Sequence, residues 1–212
     1  MKAIVIGATG STGKHLVDTL LDDKDYETVV ILVRKTTAIN HPKLIEVITD
    51  FSDLGALRDS IKGDVAFSCL GTTLADAGSK EKQWKIDFDI PAAFAQIAKE
   101  NGVNSFVLVS SYGASSKSSV FYSKMKGELE EKIESFLFNQ YIIFQPGSLI
   151  REGSTRMGEK ISVNLITFLN KIGILKKFRP LSTSLLAQKL AKSPKILPQG
   201  KTIIKLEHIF EF

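Results

Sequence analysis

A doubly wound parallel α/β sheet is the fold class this 212-residue sequence predicts, on three observations. Short runs rich in Val, Ile and Phe alternate with longer amphipathic stretches, the pattern of buried parallel strands joined by right-handed helical crossovers. The first run leads straight into a glycine-rich turn. The composition, 43% hydrophobic and 24% charged with 15 Gly and 6 Pro, suits one domain with a sizeable core and excludes disordered or collagen-like chains.

The apolar runs at 3–6, 29–33, 44–48, 65–69, 105–110 and 141–145 read as six strands. Between them, 11–22, 53–61, 81–100 and 118–137 have helical spacing. In the third of these, Ile90, Phe94, Ile97 and Ala98 share one face, and Asn101-Gly102 supplies a stop. Only the connection from the second strand to the third is too short for a regular helix. Beyond Pro146-Gly147 the pattern loosens. A helix is expected at 161–172, a second helix capped by Ser182-Thr183 running to about Lys192, and a short terminal strand at 203–206. With no repeat and no linker, residues 1–212 read as a single domain in which 150–212 form a small substrate-side cap.

Gly7-Ala8-Thr9-Gly10-Ser11-Thr12-Gly13 follows the first strand and opens the first helix. Glycine suits a tight reversal, a close approach of backbone to a pyrophosphate and tight helix–strand packing. The free N–H groups at the helix start then face the anion. Strand, turn and helix in this order make the fold Rossmann-type and the ligand a dinucleotide. At the end of the second strand, where an NAD site carries an acid for the ribose, stand Arg34 and Lys35. A carboxylate would repel a 2′-phosphate, whereas Arg34 can grip one with two prongs. NADP(H) is therefore the expected cofactor, although both cations also suit a solvated surface.

Tyr122 and Lys126 lie four residues apart, on one helix face. Upstream, Ser110 and Ser111 end the fifth strand, at the sheet edge where such folds carry their sites. A phenol needs help to exchange protons at neutral pH, and a neighbouring ammonium gives it. A serine hydroxyl can then polarise a carbonyl.

These motifs, with Cys69-Leu70-Gly71-Thr72-Thr73, Ala77-Gly78, Lys126-Gly127-Glu128 and Pro146-Gly147, resemble those of the atypical short-chain dehydrogenases/reductases. The likeness covers about residues 3–160 and is strongest to the branch containing the thirty-kilodalton Tat-interacting protein, an NADPH-binding oxidoreductase-like protein. The resemblance implies a Ser–Tyr–Lys site in which Tyr122 exchanges the proton, Ser111 orients the substrate, and Lys126 holds the nicotinamide ribose. It also implies cofactor contacts from Thr9, Ser11 and Thr12 in the turn, from Arg34 and Lys35, from Leu70, Gly71 and Thr72, and from Leu149 and Arg156. Asp50 and Phe51 match the adenine side. Two functions stay open: an NADPH-dependent reductase of a small carbonyl or related compound, or a cofactor-sensing interaction protein with little or no turnover.

Other features read more plainly. Cys69, the sole cysteine, reads as a small buried hydrophobe rather than a redox thiol. His15, His41 and His208 have no ligand spacing, so no metal is assigned. Trp84 suits packing as well as a pocket wall. Residues 115–119 form a polar connector. The net charge of +5 divides unevenly: the first three quarters are slightly acidic and the last quarter strongly basic, almost wholly through Lys. That surplus suits a solvated face better than a nucleic-acid site, since no aromatic-interleaved basic motif accompanies it. The apolar stretch at 161–175 is short for a membrane span and contains Lys171. The expectation is a soluble, cytosolic monomer or homodimer acting on a small molecule, with neither nucleic acid nor membrane as partner.

Overall fold

The structure, a computed structural model, describes residues 1–150 and 179–212. Strand β1 (Lys2–Ile6) leads through the glycine turn into helix α1 (Ser11–Asp22). Strands β2 (Thr28–Val33), β3 (Leu44–Ile48) and β4 (Val65–Ser68) follow, with a 3-10 turn at Gly55–Ser60 between the last two. Two short helices, α2 (Leu74–Ala77) and α3 (Lys80–Trp84), a π turn (Lys85–Asp89) and helix α4 (Ile90–Glu100) then form one winding path to β5 (Ser105–Val109). Helix α5 (Phe121–Glu134) leads to β6 (Gln140–Gln145) and the two-residue β7 (Leu149–Ile150). After residue 178 come β8 (Leu181–Ser182), α6 (Thr183–Ile196), β9 (Gly200–Lys205) and α7 (His208–Glu211).

Among the described residues, seven strands form one parallel sheet in the order β3-β2-β1-β4-β5-β6-β9. This is the Rossmann-type doubly wound sheet that the alternation predicts. The order reverses between β1 and β4, and a crevice opens at such a switch point beyond the carboxyl ends of the strands. The inner strands read as unbroken apolar runs because helices cover both faces. One core packs Val5, Ile31, Phe67 and Phe144 against Leu16 and Leu20 of α1 and Leu186 and Leu190 of α6. The opposite core packs Ile4, Leu32, Phe106 and Ile143 against Phe94 of α4 and Leu129 of α5. Alternate residues of each strand thus serve opposite layers.

Several expected boundaries shift. The stretch 53–61 tightens to a 3-10 turn, and 81–100 is broken by the π turn. Helix α5 is shorter than 118–137, because Ser115 and Ser118 make turn bonds before it starts. The helix expected at 161–172 lies outside the described residues. The described part of the expected cap belongs to the body of the fold: α6 packs beside α1 on one face of the sheet, and β9 extends the sheet along β6. The physical reason is the apolar stripe Leu186, Ala187, Leu190 and Ala191, which is buried only against other layers.

Candidate active site

Gly7 takes a φ of +76°, a region L side chains rarely adopt, and a Cβ there would lie 2.5 Å from the backbone of Cys69. At Gly13 a Cβ would fall 2.0 Å from the Gly7 carbonyl oxygen. Glycine therefore lets the β1 turn, the start of α1 and the end of β4 meet closely, with the Cys69 N–H donating to the Ile6 carbonyl at 3.0 Å. Gly10 caps α1 without a side-chain bond, and the first turn of α1 holds no acid. Its N–H groups suit an anion.

A cavity of about 650 Å³ opens at this edge. Its lining brings together Gly10, Ser11 and Thr12 from the turn, Leu70, Gly71 and Thr72 from the β4 loop, Leu149 from β7, and Tyr122 and Lys126 from α5. Tyr122 stands at the mouth, 38% exposed, while Lys126 is 2% exposed. The Lys126 ammonium lies 5.9 Å from the centre of the Tyr122 ring, as the four-residue spacing requires.

The serines behave differently from the expectation. Ser110 lines the cavity, but its hydroxyl donates to the carboxylate of buried Glu130, which also accepts from Gln145 Nε2 at 2.9 and 3.0 Å. Burial pushes the Glu130 carboxyl up, against the pull of these donors and of Lys201 and Lys205. Ser111 is absent from the lining, and its Oγ is buried without a hydrogen-bond partner.

Gly7, Thr9, Gly13, Arg34, Lys35, Asp50 and Phe51 also lie outside the lining. Arg34 and Lys35 follow β2 directly and are exposed; among the described residues neither forms an ion pair. The chain just beyond them is held by Glu46 of β3, whose carboxylate accepts from the hydroxyls of Thr36 and Thr37 and from the Thr37 N–H. Asp50 accepts from Ser52, and Phe51 has a φ of 63°. Arg156 lies outside the described residues.

Three features went unforeseen. Asp87 is fully buried and pairs with Lys126 at 3.1 Å. Glu130 lies one helical turn beyond Lys126. Leu74, Val120 and Phe121 give the cavity an apolar wall. The available signal was a carboxylate at an apolar-stripe position, Asp87 ahead of Ile90 and Phe94, and Glu130 beside Leu129 and Ile133. Trp84 packs on Phe88 and Phe121 and does not line the cavity. Burial pushes the Cys69 thiol up to about 12, which leaves it without a reactive thiolate at neutral pH.

A family model described as NAD(P)H-binding matches residues 7–163. The chain belongs to this NAD(P)H-binding family. The matched span contains the glycine turn, the Arg34-Lys35 pair and the whole described lining of the cavity. A relative named "Protein FMP52, mitochondrial", from Eremothecium gossypii, is 33% identical over 85% of this chain and 80% of its own length. Another of that name, from Meyerozyma guilliermondii, is 38% identical over 74% of this chain and 69% of its own. In fold, the chain is similar to a short chain dehydrogenase family protein from Francisella tularensis, with a TM-score of 0.68, 18% identity and 98% of each chain covered.

The mitochondrial designation of these relatives overturns the cytosolic expectation. Composition and charge report compatibility with water, and that is the same in every aqueous compartment. A cellular address is read by receptors and does not follow from hydropathy.

The cavity fits the dinucleotide of the NAD(P)H-binding family on its own geometry. The start of α1 has no side-chain cap and no acid in its first turn, and the first N–H groups of a helix have no acceptor within it. At Gly71, in the cavity lining, a Cβ would come 3.1 Å from Asp87 Oδ1 and 3.8 Å from Lys126 Nζ, so glycine there leaves room for that ion pair at the cavity's edge.

Proposed function

We propose that this protein is an NADP(H)-dependent oxidoreductase of the short-chain dehydrogenase type, acting on a small carbonyl compound. The observation that carries the reading is Tyr122 and Lys126 lining one cavity with the glycine turn. A module that only sensed the cofactor would have no need of that pair, and this favours turnover. The resemblance of the C-L-G-T-T run to the branch containing the Tat-interacting protein supports NADPH as the cofactor and does not itself choose between turnover and sensing.

In this reading the turn residues Thr9, Gly10, Ser11 and Thr12 hold the pyrophosphate, and Leu70, Gly71, Thr72 and Leu149 border the nicotinamide half. When bound, the cofactor supplies a hydride to the carbonyl carbon and leaves oxidised. Tyr122 donates its phenolic proton to the carbonyl oxygen, so that C=O becomes CH–OH. The proton returns from solvent at the cavity mouth, where Tyr122 is half-open to water. Lys126 favours the transient phenolate. The Ser111 hydroxyl, buried outside the lining and without a hydrogen-bond partner among the described residues, is assigned to the carbonyl oxygen, which it reaches only by turning into the cavity. Leu74, Val120 and Phe121 favour a substrate with a compact apolar body over a strongly hydrated one.

Arg34 and Lys35, exposed and without an ion pair among the described residues, are assigned to the 2′-phosphate, with Asp50 and Phe51 on the adenine side. Titrating NADPH and NADH into the protein tests this choice. NADPH binds more tightly, and Arg34→Ala weakens NADPH about tenfold while sparing NADH, from the loss of a charge-assisted contact. Equal affinities in the unaltered protein would remove the role given to Arg34.

A further inference from the structure

Arg34 and Lys35 stand between two fixed points, both supplied by β3. The β2–β3 ladder runs to Val33, whose carbonyl accepts the Thr49 N–H at 2.9 Å. The chain then bends at Arg34 and Lys35 and comes back to Glu46 in the middle of β3. One carboxylate oxygen of Glu46 accepts the Thr36 hydroxyl at 2.5 Å. The other accepts the Thr37 hydroxyl and the Thr37 N–H, the latter at 3.0 Å. The Thr36 and Thr37 hydroxyls hold this carboxyl below the usual carboxylate range. The next acid, Asp50, is committed in the same way, to the hydroxyl and N–H of Ser52. Acids are therefore present in the neighbourhood, yet both cations stay without an ion pair among the described residues.

We infer that the Thr36–Glu46–Thr37 clasp is a specificity-determining element of the 2′-phosphate subsite: it keeps the Glu46 carboxylate off Arg34 and Lys35, so that both cations stay open to the phosphate. The inference rests on the reading of Arg34 and Lys35 as phosphate contacts. A carboxylate stripped of its hydroxyl donors turns to the nearest charged ones, since a guanidinium or ammonium donates more strongly than an alcohol. Glu46 is half-buried on an edge strand and reaches as far as Thr36, the residue directly after Lys35. Paired with the cations, it would occupy the fork that grips the phosphate and repel the phosphate's own charge. With the clasp closed, this acid does not select the unphosphorylated ribose, as an acid at the end of β2 would.

Adenosine 2′,5′-diphosphate and adenosine 5′-monophosphate present the adenosine end of the cofactor with and without the 2′-phosphate. Calorimetry gives both dissociation constants. Thr36→Val/Thr37→Val keeps the shape of the loop and removes both hydroxyl donors. The diphosphate then binds about fivefold more weakly, the size of the exposed ion pair that must be broken, while the monophosphate is unchanged. Adding Glu46→Gln to the valine pair returns the diphosphate affinity to that of the unaltered protein, because the freed group no longer carries charge. Thr36 is exposed, so Thr36→Val alone leaves the fold intact and shows the same selective loss, about twofold. An unchanged diphosphate affinity in the valine variants would overturn the inference, as would an equal loss for the monophosphate. So would a loss that Glu46→Gln fails to reverse, which would belong to the loosened loop. Undiminished diphosphate affinity in Arg34→Ala/Lys35→Ala would instead remove the reading beneath it, and the inference with it. None of these readouts depends on turnover.

Discussion

Gly13 has no room for a single methyl group: a Cβ there would lie 2.0 Å from the Gly7 carbonyl oxygen and 2.8 Å from its carbon, both backbone atoms. Gly13→Ala therefore forces the turn apart and costs roughly 1–3 kcal/mol of stability, the range of overpacking. Dinucleotide binding falls with it. Urea denaturation and a cofactor titration read the two effects, and an unchanged affinity would deny the turn its role. The turn was legible in the sequence because its chemistry is local, with seven consecutive residues stating strand end, reversal and helix start. Tyr122 and Lys126 were legible for the same reason. Asp87 was legible only as a carboxylate out of place in an apolar stripe, because its partner Lys126 is set beside it by the fold and not by spacing. Ser110 and Ser111 show the same limit from the other side. Adjacent in sequence, they differ in the one property that matters: the Ser110 hydroxyl is committed to Glu130, and the Ser111 hydroxyl is without a partner.

Helix α6 shows what an element owes to its ends. The Ser182 hydroxyl accepts the Leu185 N–H at 3.1 Å, capping the helix start. Ser182→Ala is expected to cost about 1 kcal/mol in urea denaturation and to leave cofactor affinity unchanged. A large loss of affinity would instead tie α6 to the site. The cap and the terminal strand were both visible in the sequence, but their places were not. Strand order depends on which distant edge pairs, and β9 lies along β6 only because parallel register with Gln140–Gln145 is available there. Periodicity likewise predicted one helix over 81–100, since an apolar stripe does not reveal a turn widened at Lys85–Asp89.

The first and last parts of the molecule are joined across the α1–α6 face. Lys195 pairs with Asp23 at 2.6 Å and Asp25 at 2.7 Å, and the buried Tyr26 hydroxyl donates to the Ala191 carbonyl at 2.8 Å. Lys201 pairs with Glu134 at 2.5 Å, so part of the basic surplus of the last quarter is spent on internal ion pairs. Burial raises the Asp23 carboxyl, but Lys195 and the Asp25 N–H outweigh it and leave it below the usual carboxylate range. Its stabilising effect is complete above the unfolded value, about 4, and is lost as pH falls through the lower folded value. Lys195→Met should therefore lower stability at pH 7 and much less at pH 2, measured by urea denaturation at both. Equal losses would assign the effect to packing of the lysine stem. Fold class was readable at this scale, because alternation of strand and helix implies a doubly wound sheet. Compartment was not, since nothing in bulk charge distinguishes one aqueous space from another.

In the proposed reaction Tyr122 performs the proton step of a hydride transfer in this cavity. NADPH oxidation at 340 nm, followed across a panel of compact apolar aldehydes, ketones and quinones, tests it with the unaltered protein and Tyr122→Phe side by side. Turnover of at least one carbonyl is expected. Tyr122→Phe should lose about 100-fold or more in kcat while keeping NADPH affinity, as removal of a general acid requires. A Tyr122→Phe variant that oxidises NADPH at the unaltered rate would contradict it.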